Sequence, residues 1–254
     1  MLKPRDLAGP RASTLWALGQ AGLVLLLVCV YFGVRGLTVG STEDAVKHAH
    51  DIVALEERLH LDFEEALQTP ANRSETVVTI ANWVYIWGHW PIIVITMLWL
   101  LRWHSDIFRR LRDAMMLSGA IGMVIYATYP LAPPRLAGLG MVDTVSENSE
   151  AYRVLQPPAF VNQYAAMPSL HAGWDLLVGI SIVTAASTVA LRIVGYAMPT
   201  LMAVAVVLTA NHYVIDVIAG VVLVLLAHVV ALRLEQRRWH RRRLRHVKVP
   251  VSAG

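Results

Sequence analysis

The chain has few cysteines and few charged residues. Its 254 residues contain a single cysteine, Cys29, so an intramolecular disulfide and a cysteine-built zinc site are both excluded. Charged residues make up 16% of the sequence and hydrophobic residues 56%, whereas soluble domains contain about 25% charged residues. This composition argues against a soluble globule and predicts a membrane protein.

Six apolar stretches are long enough to span a membrane as helices, because about 20 apolar residues cross the hydrocarbon core. The first is too long for the apolar part of a signal peptide, and no small-residue cleavage site follows it, so we interpret it as a retained span. The predicted fold is all-α, a six-transmembrane-helix bundle forming one integral membrane domain over residues 1–254. The predicted spans are 15–34, 77–101, 114–131, 170–189, 193–210 and 213–232.

Basic residues lie at alternate ends of these spans. They occur before the first span, between the second and third spans, between the fourth and fifth spans, and in the tail after the sixth span. The positive-inside rule places these segments in the cytoplasm. We therefore expect residues 1–14 and the basic tail 233–254 to be cytoplasmic, in the plasma membrane if the organism is bacterial.

The segment between the first two spans, residues 41–75, is acidic and amphipathic. It holds nine acidic residues and three basic ones, and apolar residues recur at three-to-four spacing from Val46 to Leu67, as on one face of a helix. We predict an extracytoplasmic helical segment that packs as a collar on the outer membrane surface. The alternative is a gate for substrate access.

Four ionisable residues fall at the outer ends of the predicted spans. Arg135 follows the third span, His171 opens the fourth, and His212 opens the sixth with Asp216 one turn deeper. Ionisable residues inside spans are costly and indicate functional sites. We predict that these residues share an extracytoplasmic active site in a catalytic core over residues 114–232.

His212 and Asp216 lie four residues apart, on one face of a helix. A carboxylate there can fix the imidazole tautomer and leave the other ring nitrogen as a nucleophile or base. The spacing alone is weak, since His60 and Glu64 in the collar share it. The position at the level of a second histidine and an arginine is what distinguishes His212.

Two segments favour phosphate binding. Residues 167–173, Met-Pro-Ser-Leu-His-Ala-Gly, indicate a loop turning into a helix capped by Ser169, and helix starts bind anions. Arg135 follows a Pro-Pro pair that would hold its guanidinium in place for a phosphate fork. The alternative is an arginine that contacts only lipid headgroups.

Together, Pro-Pro-Arg, Pro-Ser-x-His and His-x3-Asp resemble the membrane type 2 phosphatidic acid phosphatase superfamily. Residues 167–173 and Asn-His-Tyr-Val-Ile-Asp at 211–216 are more similar to its branch containing inositol phosphorylceramide synthase. By motif, the resemblance covers residues 126–220.

This resemblance implies a mechanism. His212 would attack the lipid phosphorus to form a phosphohistidine, with Asp216 orienting it. His171 would protonate the leaving alkoxide and then deprotonate the acceptor. Arg135 and the amides near Ser169 would hold the phosphoryl oxygens. The scheme requires no metal or other cofactor, and we expect no nucleic acid partner.

The sequence lacks two cationic residues that the phosphatases of that superfamily usually have. Those phosphatases usually have the motifs Lys-x6-Arg-Pro and Ser-Arg. In this chain Thr128 is at the position of the lysine and Leu136 at that of the proline, and Ala205 and Val206 replace the Ser-Arg pair. The glycine of their Pro-Ser-Gly-His is Leu170. With two phosphate-binding cations missing, a phosphodiester donor is more natural than a phosphomonoester.

We therefore predict a metal-independent enzyme that moves a phosphoryl-containing headgroup from a phospholipid or polyprenyl phosphate to a lipid or alcohol, such as inositol or a sugar lipid. The alternative within enzymology is hydrolysis of a lipid phosphate or polyprenyl diphosphate. Two alternatives come from other functional classes. One is a metal-binding or transport site, since His171, His212 and Asp216 also suit zinc, and the other is a scaffold without activity.

For other polar residues the sequence leaves alternative roles open. His89 should lie near mid-bilayer, away from the catalytic level, in an interhelical hydrogen bond, or else line a polar slot. Asp175, one turn past His171, is expected to contact it or to be structural. Asn211 should cap the sixth helix or touch phosphate. The loop over 137–166, with Tyr164, is expected to cover the site and select the headgroup.

Overall fold

The computed structural model describes residues 14–37, 40–145 and 162–247. The predicted cytoplasmic residues 1–13, the middle of the loop over 137–166 and the end of the basic tail lie outside the described residues. Within the described ranges the all-α prediction is confirmed, with nine α-helices: α1 (Thr14–Leu37), α2 (Thr42–Leu59), α3 (Glu64–Ala71), α4 (Glu75–Trp87), α5 (Trp90–Trp103), α6 (Ser105–Thr128), α7 (Leu170–Ala185), α8 (Val189–Leu208) and α9 (Val214–Val247).

Among the residues that the structure describes in full, two helices are long and apolar enough to cross a bilayer by themselves: α8 and the first 27 residues of α9. The chain is an integral membrane protein, but the number six remains a prediction. The shortfall has a physical reason: α7 is only 16 residues long, and α6 begins with a charged segment that leaves a short apolar remainder.

The second predicted span is not one continuous helix. It consists of α4 and α5, which are bent by 43° at a break around Gly88 and His89. Pro91 occupies the first turn of α5, where its missing N–H costs nothing and its fixed φ favours a new helix start. The bent pair counts as a third span if both halves cross the bilayer together.

Close approach of α7 and α9 brings their starts together. A Cβ atom on Gly220 of α9 would lie 2.2 Å from the carbonyl oxygen of Ser169, and one on Gly173 of α7 would lie 2.7 Å from a methyl carbon of Val224. Only glycine permits this backbone distance. The contact sets the ends of both helices, and hence His171 and His212, beside each other.

The collar, α2 and α3, packs on the end of the bundle through apolar residues and through buried polar side chains that the sequence analysis did not predict. The carboxylate of Glu56 accepts a hydrogen bond from the Ile215 amide at 2.8 Å, and that of Glu64 accepts one from the Val214 amide at 2.7 Å. These amides belong to the first turn of α9, where helix donors lack partners within the helix. The collar therefore caps the helix that follows His212.

Burial raises the pKa of the Glu56 carboxyl to about 8, and the neighbouring carboxyls of Glu64 and Asp216 also raise it. The hydrogen bond from Ile215 opposes this shift. A carboxyl with a higher pKa in the folded state binds more protons when folded. The contribution of this carboxyl to the free energy of unfolding is therefore complete below its ordinary pKa of 4.5 and is lost as the pH rises toward 8.

We expect Glu56→Gln to raise the melting temperature of the purified protein by several degrees at pH 8 and to change it little at pH 5. The glutamine carbonyl still accepts from Ile215 but cannot ionise beside Glu64. Thermal unfolding in detergent at both pH values measures this. The control is Glu57→Gln at the exposed neighbouring position, which should change neither value. Equal shifts at both pH values would contradict the prediction.

Candidate functional site

Three histidines and one arginine line a single cavity, which includes His171, His212 and Arg135 of the predicted site. The cavity volume is about 40 Å³, which holds a few water molecules. Part of its wall comes from α4 and α5, outside the predicted core of 114–232. The lining residues are Tyr85, His89, Trp90, Tyr126, Pro133, Arg135, Asn162, Gln163, Ala165, Ala166, Leu170, His171, Trp174, Asn211 and His212.

His212 is held by the loop before α7. Its Nδ1 lies 2.8 Å from the carbonyl oxygen of Ala166. Because a carbonyl only accepts, Nδ1 must carry the proton, and Nε2 keeps the lone pair. This is the tautomer that a nucleophilic or basic histidine needs.

Asp216 lies beside His212, as the spacing predicts, but the Ala166 carbonyl is closer to the imidazole Nδ1. The Oδ2 of Asp216 lies 3.5 Å from Nδ1 of His212 and accepts a hydrogen bond from the Tyr213 amide at 3.0 Å. Since Ala166 already receives the imidazole proton, the carboxylate is a nearby buried charge and a helix cap. Orientation of the ring comes from the Ala166 carbonyl as the closer contact.

His171 lies between the other two histidines. It is the second residue of α7, and its ring centroid is 5.8 Å from that of His212 and 4.4 Å from that of His89. The Tyr85 ring stacks on it at 4.8 Å. The predicted catalytic histidines are therefore brought together, with a third imidazole beside them.

Arg135 reaches the cavity from the short turn after α6. Its Nε donates to Asn211 Oδ1 at 3.0 Å, and its Nη1 donates to Asp143 Oδ2 at 2.7 Å. Asn211 was expected to cap the sixth helix or to touch phosphate; its side chain bonds Arg135 and Thr209, and it lines the cavity. These contacts hold the guanidinium in a fixed orientation, and Arg135 is the only Lys or Arg among the described lining residues.

Two predicted substrate-binding residues lie away from the cavity wall. Ser169 is fully buried: its hydroxyl accepts from the Ala172 amide, and its own amide donates to the Asp216 carbonyl. The hydroxyl of Tyr164 lies 2.8 Å from that of Thr42 in the collar. Ser169 thus joins α7 to α9, and Tyr164 joins the loop to the collar.

The prediction for His89 was wrong in separating it from the level of the catalytic histidines, and right in giving it an interhelical hydrogen bond. Its Nδ1 bonds Asp175 Oδ1 at 2.8 Å, and its ring lies against His171. Helix α4 is unbroken up to Trp87 and the chain breaks only after it, at Gly88, so the error was to expect His171 at a different level. Asp175, expected to contact His171 or to be structural, bonds His89. The Gly-His-Trp-Pro sequence was the signal for this break.

This arrangement can accommodate phosphoryl transfer. A phosphoryl group in the cavity would meet a cation from Arg135 and imidazoles from His171 and His212, which match the charge stabilisation and proton transfer that the reaction needs. No group of three or more His, Cys, Asp or Glu side chains in residues 14–37, 40–145 and 162–247 is arranged to hold a metal ion.

Comparison with known families agrees with the motifs. A family model described as PAP2 superfamily matches residues 50–230, more than half of the chain. No curated protein and no solved structure matches this chain. The matched region contains the collar helix α3 and every residue that lines the cavity.

Proposed function

Since the chain belongs to the PAP2 superfamily, whose members are phosphatases or phosphotransferases of phosphate esters, we propose that it transfers a phosphoryl-containing lipid headgroup through a phosphohistidine on His212. His171 donates a proton to the leaving alkoxide and then takes one from the acceptor. The observation that carries this proposal is the shared cavity of His171, His212 and Arg135, with His212 in the Nδ1–H tautomer.

The proposed steps balance in protons and bonds. The Nε2 lone pair of His212 forms a bond to phosphorus while the bond from phosphorus to the donor oxygen breaks, and the proton of His171 goes to that oxygen. The acceptor hydroxyl then gives its proton to His171 while its oxygen displaces His212 from phosphorus. Arg135 stabilises the phosphoryl oxygens in both steps.

Transfer to an alcohol is favoured over hydrolysis by the charge of the cavity. Arg135 is its single described Lys or Arg, and Asp143 is paired with it. A phosphodiester, with one negative charge, needs less compensation than a phosphomonoester. This supports a donor such as a phospholipid and a chemistry like that of the inositol phosphorylceramide synthase branch, with inositol or a sugar lipid as acceptor.

We further propose that the chain crosses the membrane six times, with both termini in the cytoplasm and the cavity on the extracytoplasmic side. The distribution of basic residues supports this orientation. The collar then lies on the outer surface, where its buried carboxyl groups accept hydrogen bonds from the first amides of α9.

The test is to incubate purified protein with headgroup-labelled phospholipids, with and without inositol or lipid alcohols, and to identify the labelled product. We expect label in the alcohol, inhibition by vanadate and no loss of activity with a chelator. Label released as a water-soluble phosphorylated headgroup whether or not an alcohol is present, or inorganic phosphate released from a lipid phosphate supplied in parallel, would establish hydrolysis instead. Loss of activity with the chelator and its recovery with zinc would favour the metal alternative.

A further inference from the structure

The pair of His89 and Asp175 is the closer of the two histidine–carboxylate pairs in the cavity wall. Its Nδ1 to Oδ1 distance is 2.8 Å, compared with 3.5 Å between His212 and Asp216. His89 is 3% exposed and Asp175 1%. Within the described ranges, no donor reaches the second oxygen of Asp175. His89 is therefore the group that compensates this buried carboxylate.

The charge of this pair acts directly on His171. The His89 ring lies 4.4 Å from the His171 ring, and Asp175 follows His171 by one turn on α7. At such distances a unit charge in a water-poor interior has a large effect on the neighbouring protonation equilibrium. With Asp175 ionised, the pair has a net charge of −1 when His89 is neutral and zero when His89 is protonated.

We propose that His89 and Asp175 are positioning residues that set the protonation state of His171, an inference that rests on the proposed function. With His89 neutral, the negative charge of Asp175 favours the acid form of His171, which the leaving group needs. A protonated His89 stacked on His171 favours the neutral form, which the acceptor hydroxyl needs.

Other titratable groups around the cavity are tied to different partners or are uncharged at neutral pH. Asp216 lies beside His212, and Asp143 is paired with Arg135. The two tyrosines are Tyr85, which stacks on His171, and Tyr126 of α6, whose hydroxyl donates to the Pro168 carbonyl. The remaining titratable or charged groups of the lining are His212 and Arg135.

The test uses two substitutions that should move the pH profile of kcat/KM in opposite directions. Asp175→Asn keeps an oxygen for the His89 Nδ1–H but removes the charge, so the alkaline limb of the profile should move to lower pH by about one unit. His89→Gln keeps a donor for Asp175 but cannot become a cation, so this limb should move to higher pH. Ser181→Ala is the control, because Ser181 bonds only the Leu177 carbonyl of its own helix.

Opposite shifts of the alkaline limb, with the control profile unmoved, would support the proposal. A profile that falls in height in both variants without moving along the pH axis would show a purely structural role and overturn it. If one variant does not fold, the other alone decides by the sign of its shift. An inactive wild-type protein would overturn the proposed function itself, whereas an active wild type with unmoved limbs overturns only this inference.

Discussion

His212→Ala is expected to reduce turnover by roughly a thousandfold or more, because a methyl group cannot form a bond to phosphorus. His171→Ala should reduce it similarly, since the leaving alkoxide then departs without a proton. The two residues act on the same step, so the double variant should be hardly slower than either single one. Turnover of the labelled donor by the three purified variants measures this.

The fold should survive these substitutions. His212 contributes one hydrogen bond to the Ala166 carbonyl, and losing such a bond costs about 1 kcal/mol. We therefore expect melting temperatures within a few degrees of the wild type. The control is His60→Asn, which replaces the collar histidine at a left-handed helix end, a conformation that asparagine tolerates. Retained turnover in either single variant would refute the mechanism.

The residue types and their order were sufficient to place three of the site residues together. His171, His212 and Arg135 all follow or begin apolar segments, and hydropathy with the distribution of basic residues assigns those ends to one side of a membrane. These signals are local and additive along the chain. Helix α8 and the apolar first part of α9 were predicted for the same reason, since each is a long apolar run. The continuation of α9 through basic residues to Val247 was not predicted, because hydropathy gives no signal for it.

Contacts between distant segments could not be predicted in this way. The Ala166 carbonyl that binds His212 lies 46 residues earlier in the chain, and every residue has a carbonyl, so residue type contains no signal for it. Glu56 and Glu64 were counted only among the nine acidic residues of the collar segment. Only the packing of the collar shows that they bind amides of α9.

The position of His89 was missed for a different reason. Helix α4 is unbroken from Glu75 to Trp87, so the distance of His89 from Glu75 along the helix agrees with the expected rise per residue. The error was to assign His171 to a different level: the two rings lie 4.4 Å apart. Distances along one helix do not show how deep the neighbouring helices begin, so the levels of residues on different helices cannot be compared from the sequence alone.

Asp216→Asn is expected to slow turnover by roughly tenfold to a hundredfold, as the loss of one charged hydrogen-bonding partner would. Asparagine keeps an oxygen for the Tyr213 amide, so the start of α9 stays capped. What it loses is the negative charge 3.5 Å from Nδ1 of His212, which stabilises the ring when it gains positive charge on attacking phosphorus. The effect should therefore fall on kcat, with KM nearly unchanged.

The size of this effect distinguishes two roles for the carboxylate. Where a carboxylate fixes the tautomer of a catalytic histidine, its amide variant loses about 10⁴-fold in kcat. Here the Ala166 carbonyl already holds the Nδ1 proton, so the asparagine variant keeps the productive tautomer. A loss near 10⁴-fold would show that Asp216 controls the tautomer after all. No loss would show that the carboxylate only caps α9, while an intermediate loss identifies it as the charge that stabilises the phosphorylated imidazole.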